Sequence, residues 1–405
     1  MSATQDQELP KGWRWARFNQ FLRRIERKVI VDDLLSYDCV GVRWYGMGAF
    51  VRENLPGMSI ARKQQWLIKA GDVVYNKLFA WKGSFALADD AVDGCIVSDK
   101  FPTYQLDVAV VNPKFLQYYF RTMDIAQQAL ALSKGGAAIS KLTLNPPQFW
   151  DLVIPLPPLE EQRRIVARIE ELAAKIEEAR GLQKEAVEEA EGLMARTTSL
   201  SFDKLMERYK VVRPLEQSAT ILGGGTPSKA DYAFWNGTIP WVSPKDMKLN
   251  DIYDSEDHIS NLALETGVST LIPENSVLIV VRSGILRRTL PVAINRVPVT
   301  INQDMKALIP LADISCDFLA WWFRRKEPAF LEHVKGGTTV QSLMWDRVKN
   351  FEIPVPPLPE QNRIVAYLDD LQAKVDMLKR KQAEVSAELD AMLPSILDKA
   401  FKGEL

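Results

Sequence analysis

Histidine and cysteine are scarce in this 405-residue chain, which holds only His258, His333, Cys39, Cys95 and Cys316. Two imidazoles leave little material for metal binding or for acid and base chemistry at neutral pH. Three widely spaced cysteines exclude a disulfide framework and a CxxC metal site, and read as reduced core thiols. Long apolar runs are missing as well, since none approaches the roughly 20 residues that span a bilayer. The N-terminus Met1-SATQDQELPKGWRW lacks the basic-then-apolar signature of a signal peptide. A cytoplasmic protein without membrane partners is expected. An excess of one charge is also absent: 51 Lys and Arg face 52 Asp and Glu, for a net charge of −1. That balance argues against a strong solitary binder driven by phosphate neutralisation.

What is present is ordinary globular material, 47% hydrophobic and 25% charged, in a length sufficient for two to three domains. Charge is segregated along it. Basic residues exceed acidic ones by 19 to 15 over residues 1–158, and acidic exceed basic by 12 to 9 over 159–208. The counts are 16 and 16 over 209–357, and 9 acidic to 7 basic over 358–405. The helical parts are therefore the more acidic, which leaves room for nucleic-acid binding on local patches of the rest.

An internal repeat fixes the architecture. Ile154-PLPPLEEQRRIVARIEELAAKIEEAR matches Ile353-PVPPLPEQNRIVAYLDDLQAKVDMLK at an offset of 199 residues. Past the prolines, apolar residues recur at three- and four-residue steps, the signature of an amphipathic helix. One stripe runs Ile165, Ile169, Leu172, Ile176, Ala179, Ala186, Ala190, Leu193; the other runs Ile364, Leu368, Leu371, Val375, Leu378, Val385, Leu389, Met392. Sustained over about four heptads, this is a coiled-coil seam, and 45 residues would reach roughly 65–70 Å. A single copy would suit a surface helix on its own domain; two copies in phase favour pairing with each other. An axis across the helices would make the pair antiparallel and turn it into a spacer. Each Pro-x-Pro-Pro stretch, 155–158 and 354–357, reads as a stiff extended hinge that continues neither strand nor helix.

Each globule ends in a related element, Ser133-KGGAAISKL and Val334-KGGTTVQSL, at an offset of 201. Glycine pairs beside a lysine suit close approach to a phosphate and suit a tight turn equally. Upstream, strand-like runs such as Gly71-DVVYNKL and Ser276-VLIVV break into the loops Asn76-KLFAWKGSF and Arg282-SGILRRT, with Ile239-PWVSPKDMK as a third. Cations interleaved with aromatics on loops held by strands suit a DNA groove: cations take phosphates, and polar side chains read base edges. The candidate DNA contacts are Lys77, Trp81, Lys82, Ser84 and Lys134 in the first globule. In the second they are Thr226, Ser228, Lys229, Ser243, Lys245, Asp246, Lys248, Arg282, Ser283, Arg287, Arg288 and Lys335. Trp81 and Trp241 suit core anchors better than base contacts, and Lys77, Lys82, Lys245, Lys248, Arg282, Arg287 and Arg288 are the stronger candidates. Elsewhere the globules share little sequence, so each is expected to recognise something different.

Catalytic patterns fail. Asn145-Pro-Pro-Gln lacks the aromatic fourth residue of the amino-methyltransferase motif and any glycine-rich strand-to-helix turn before it. Gly223-GGTPSK lacks the spacing of a P-loop, and Asp246-x-Lys248 and Glu26-x-Lys28 lack the second carboxylate of a nuclease metal site. No catalytic residue and no metal ligand is expected.

The doubled Pro-Pro-Leu/Glu-Gln/Arg-Ile-Val signature, together with Gly223-GGTPSK, Trp235-NGTIPWVSPKDMK, Ile301-NQDMKALIP and the ending Leu397-DKAFKGEL, resembles the specificity subunit of type I restriction-modification systems. The resemblance spans essentially the whole chain. It implies an α+β fold: two α/β target-recognition domains, residues 1–158 and 209–357, separated by two long helices forming an antiparallel coiled coil, residues 159–208 and 358–405, as a pseudo-two-fold internal repeat. Partner contacts would lie along Ile165, Ile169, Leu172, Ile176, Ile364, Leu368, Leu371, Val375 and Leu378. It further implies that each globule reads half of a bipartite double-stranded DNA target for two modification subunits that methylate adenine and for restriction subunits that translocate and cleave. S-adenosylmethionine, ATP and Mg would reside on those partners, with no cofactor on this chain. One departure is the opening Trp13-RWARFNQFLRRIERK, read as preceding any strand. The alternatives are a coiled-coil scaffold that reads no DNA, and a catalytic protein in its own right.

Overall fold

The computed structural model describes residues 8–136, 141–336 and 340–405. They fall into two compact units, one of residues 1–183 with 382–405 and one of residues 184–381. Each unit therefore combines a globule with a length of both long helices, Leu159–Arg208 and Leu358–Lys402.

In the first unit a four-stranded antiparallel sheet runs in the order Leu22–Ile25, Thr103–Leu106, Asp72–Tyr75, Phe85–Leu87. Asp72–Tyr75 is buried along its whole length, as the unbroken Val-Val-Tyr run requires of a central strand. A second sheet orders Lys28–Ile30, Gln64–Leu67, Ile96–Val97, Ser36–Val42 and Ala49–Pro56. The core between sheet and helices is aromatic: the Phe149 ring lies 4.5 Å from Tyr75 and 4.3 Å from Tyr104, and Phe18 packs 5.2 Å away on its edge.

The opening segment departs from expectation. Arg14–Arg17 is a strand, followed by Leu22–Ile25 and Lys28–Ile30. Its partner is Val153–Leu156, with Trp15 opposite Pro155. The proline stretch thus does enter a ladder, because a two-stranded ribbon leaves edges where the missing N–H is not needed. Glu352–Pro354 repeats this in the second unit, paired with Val212–Pro214.

The second unit holds a five-stranded sheet in the order Ala219–Gly223, Met305–Pro310, Ser276–Val280, Val292–Asn295, Asp251–Ile252. Its first four strands repeat the order of the first unit's four-stranded sheet, with the same antiparallel neighbours. Two globules with little common sequence therefore share one central topology. Beside it lies a three-stranded sheet of Asp257–Ile259, Ile239–Val242 and Thr300–Ile301, where the first unit has five strands.

Within each unit the long helices run antiparallel. In the first, Arg164 donates to the Leu405 carbonyl at 2.6 Å and Arg180 pairs with Asp390 at 2.5 Å. In the second, Lys379 pairs with Glu191 at 2.5 Å while Arg208 lies by Glu360. The seam is not purely helix against helix. Ile165, Val166 and Ile169 enter the core of the first globule together with Leu397, Ala400 and Phe401. Ile364, Leu368 and Val375 enter the second core with Met194, Phe202 and Leu205. Ile176 is buried, and Leu172, Leu371 and Leu378 are half-buried. Leu193, Val385 and Met392, expected on the stripe, are exposed, and Met194 is buried in place of Leu193. A helix of 3.6 residues per turn drifts off a 3.5-residue repeat, which moves the inward position by one residue.

Candidate nucleic-acid interface

The same loop arrangement stands at the end of the same strand in both units. After Asp72–Tyr75, the Lys77 carbonyl accepts the Leu144 N–H at 3.0 Å, and Thr143 exchanges backbone hydrogen bonds with Lys134. After Ser276–Val280, the Val281 carbonyl accepts the Leu343 N–H at 2.8 Å, and Ser342 lies opposite both Arg282 and Lys335. The two glycine-lysine elements are thus stitched to the basic loops through backbone hydrogen bonds, by a single bridge in the first unit and by the paired strands Val334–Lys335 and Ser342–Leu343 in the second. They bring Lys77 and Lys134 together in one unit, and Arg282, Ser283 and Lys335 in the other. Ala137–Ser140 and Gly337–Thr339, parts of the two elements that carried the phosphate expectation, lie outside the described residues.

The cations differ in freedom. Among the described residues, Lys77, Lys82 and Lys134 have no carboxylate within 4 Å, nor do Lys229, Lys248, Arg288 and Lys335 in the second unit; Arg287 is exposed. Lys82 instead lies over the Trp44 ring at 3.5 Å and the Trp81 ring at 5.1 Å. Lys245 is held between Asp257 at 2.9 Å and Glu256 at 3.2 Å, which raises its pKa through the Asp257 hydrogen bond and offsets its charge locally. Arg282 lies 3.2 Å from Asp304.

Several expected contacts are corrected by burial. Ser84 is fully buried and donates its hydroxyl to the Val42 carbonyl at 2.9 Å, so it cannot reach a ligand. Ser243 is buried, and both its N–H and its hydroxyl donate to one Asp246 oxygen at 2.8 Å. The other Asp246 oxygen accepts from Glu256 N–H, so this half-buried carboxylate closes a turn. Trp81 donates its indole N–H to the Leu78 carbonyl, and Thr226 donates its hydroxyl to the Gln303 side chain. The Ser228 carbonyl accepts the Trp235 indole, leaving Ser228 itself exposed, and Ser283 caps the short Gly284–Arg287 helix. Gly224 and Gly225 permit close backbone approach: a Cβ on either would stand 2.0 Å from a carbonyl oxygen, of Asn302 or of Val268.

The structure adds residues that composition did not single out. The turn Trp44–Met47 packs against the Lys82 turn, and its three large side chains are exposed. Alternation toward the hairpin Ser36–Val42 and Ala49–Pro56 could have located it as a turn. Among the described residues no group of three or more His, Cys, Asp or Glu is placed to hold a metal, and no helix is long and apolar enough to cross a membrane.

The description "Type I restriction modification DNA specificity domain" matches the chain twice, over residues 12–188 and 206–387. The chain belongs to that family. It is similar to the EcoR124I/EcoR124II type I restriction enzyme specificity subunit of Escherichia coli, with 46% identity over 36% of this chain. It is also similar to the MjaIX specificity subunit of Methanocaldococcus jannaschii, with 32% identity over 43% of this chain. These matches span 37% and 40% of the two relatives' lengths. Among solved structures, a chain from work on the assembly and conformational transition of a type I restriction-modification system aligns with TM-score 0.70 and 27% identity, covering 98% of this chain and 100% of that one. The HsdS subunit from Thermoanaerobacter tengcongensis aligns with TM-score 0.59 and 26% identity, covering 98% of each. In this specificity-domain family, the two matched segments fall on the two globules with the first part of the long helix that follows each.

Proposed function

We propose that this chain is the sequence-specific DNA-binding subunit of a type I restriction-modification complex, each globule reading one half of a bipartite target. The observation that carries the reading is one central topology occurring twice on a repeated helical frame, with dissimilar basic loops at the same strand end. A common frame with divergent loops suits two different half-sites presented to identical partners. Two modification subunits would bring S-adenosylmethionine and methylate adenine, and restriction subunits would bring ATP and Mg. The chain itself would be non-catalytic and cytoplasmic. Its near-neutral charge fits a subunit whose partners share the phosphate contacts.

Methylome sequencing of a host carrying this chain with its modification partner tests the reading. A single split adenine-methylated motif is expected, and exchanging residues 209–352 for another second globule should alter one half of it alone. An unsplit motif, or a change in both halves, would overturn the assignment.

A further inference from the structure

Two non-glycine residues hold a positive φ among the described residues, Tyr45 at 56° and Asn275 at 60°. Asparagine tolerates this left-handed conformation through its short polar side chain, whereas tyrosine incurs a steric cost that glycine would avoid. Tyr45 lies in a turn fixed from below. Its N–H donates to the Lys82 carbonyl at 2.9 Å, and Gly46 N–H donates to the Gly83 carbonyl at 2.8 Å. Gly46 admits no side chain, since a Cβ would stand 2.3 Å from the Phe120 carbonyl oxygen. Yet Trp44, Tyr45 and Met47 are 43%, 55% and 54% exposed. The fold has no need of an aromatic ring at a strained, rigid and outward position, because glycine or asparagine would close the same turn more cheaply.

The neighbours indicate the ligand. The Lys82 ammonium sits 3.5 Å from the centre of the Trp44 ring. Lys77 precedes it on the same loop, and its N–H donates to the Lys100 carbonyl. Among the described residues none of these three lysines has a carboxylate within 4 Å. An apolar tip beside uncompensated cations complements a polyanion whose charges flank apolar surface, which is duplex DNA with its phosphates and bases.

We propose that Tyr45 and Met47 read bases in the half-site of the first globule while Lys77 and Lys82 hold phosphates, an assignment that rests on the DNA-recognition reading above. The two roles differ measurably. A phosphate contact releases counterions and sets the salt dependence of binding, whereas a ring against base edges sets sequence preference.

The test uses the full chain assembled with its modification partner, titrated on a duplex bearing its methylated motif and on a scrambled duplex at several salt concentrations. Tyr45→Gly suits the local φ and should fold with unreduced thermal stability. It should bind the motif about tenfold or more weakly, since a lost base contact commonly costs that much. Its salt dependence should be unchanged, and its methylome should become degenerate only in the half that survives exchange of the second globule. Met47→Ala should act in the same direction. Lys82→Ala should weaken binding to both duplexes and lower the logarithmic salt slope by about 0.9. Wild-type affinity and an unchanged motif for Tyr45→Gly, beside a defect for Lys82→Ala, would overturn the Tyr45 assignment and leave DNA recognition standing. No preference of the wild-type complex for the motif duplex would overturn the reading itself.

Discussion

The side-chain oxygen of Gln162 accepts the backbone N–H of Asn112 at 2.7 Å, joining the first turn of a long helix to the helix Pro113–Tyr119 of its globule. The amide group of Gln162 donates to the Val110 and Pro157 carbonyls, and the side chain is fully buried. Gln361 does the same in the second unit, accepting from Ser315 N–H and donating to the Asp313 and Pro356 carbonyls. The glutamine of the repeated signature is therefore a bracket that fixes the helix exit against the globule. Only an amide of this length offers both a donor and an acceptor there.

Replacing either glutamine with leucine should be severe for its own unit. A buried N–H and two carbonyls lose their partner, at a cost of about 2–4 kcal/mol. Urea denaturation of Gln162→Leu and Gln361→Leu, followed by hydrogen exchange resolved by segment, checks this. An unchanged midpoint would show that the bracket contributes nothing.

Phe401, near the end of the second long helix, packs 4.9 Å from Phe115 and 5.2 Å from Tyr119. Phe202 occupies the equivalent place 199 residues earlier, 5.1 Å from Phe318. Truncating either ring to alanine should cost about 3–5 kcal/mol. Faster amide exchange is expected in Pro113–Tyr119 for Phe401→Ala, and in Cys316–Leu331 for Phe202→Ala.

Lys245 and Lys82 should contribute unequally to DNA binding. The former is already engaged by Asp257 and Glu256, the latter by aromatic faces alone. Lys245→Ala should change affinity and salt dependence less than Lys82→Ala does, and Glu256→Gln should strengthen binding by removing an anion from the surface. Fluorescence anisotropy at several salt concentrations would reveal the order, and equal effects would contradict it.

The aromatic core of the first unit should limit stability at alkaline pH. Burial pushes the Tyr104 phenol from 10.0 up to about 12, and raises Tyr75 and Tyr119 further. A folded-state value above the unfolded one gives stability that is complete below pH 10 and is lost as the pH rises toward 12. For Tyr104 alone that loss is on the order of 2–3 kcal/mol. Denaturation midpoints that stay flat from pH 9 to 12 would contradict this account; Tyr104→Phe should flatten the decline.

Much of the frame was legible because it is periodic or repeated. The offset of 199 marked both helices and singled out Gln162 and Gln361, although not what they bind. The stripe located Ile165, Ile169, Ile364 and Leu368 as inward residues, but periodicity does not say whether a helix or a globule covers them. It also failed at Leu193, where helical drift hands the inward position to Met194. The opening segment was misread because its strand is completed only by Val153–Leu156, far along the chain.

The candidate interface was legible in kind and poorly in detail. Composition drew attention to the basic loops after Asp72–Tyr75 and Ser276–Val280. It could not separate Lys82, free of carboxylates, from Lys245, whose charge Glu256 and Asp257 offset from further along the chain. Nor could it distinguish exposed Ser228 from Ser84, whose hydroxyl is consumed by a backbone carbonyl.

The sequence by itself determined what depends on neighbours along the chain: the doubled helices, the proline stretches before them and the basic loops. The tertiary structure alone decided what depends on residues far apart. It gave two divergent globules the same central strand order, turned Asp246 into a turn closure and held Tyr45 outward on the carbonyls of Lys82 and Gly83. Hydrophobic period and charge are local properties, whereas burial and hydrogen-bond partnership belong to groups that meet only after the chain has closed on itself.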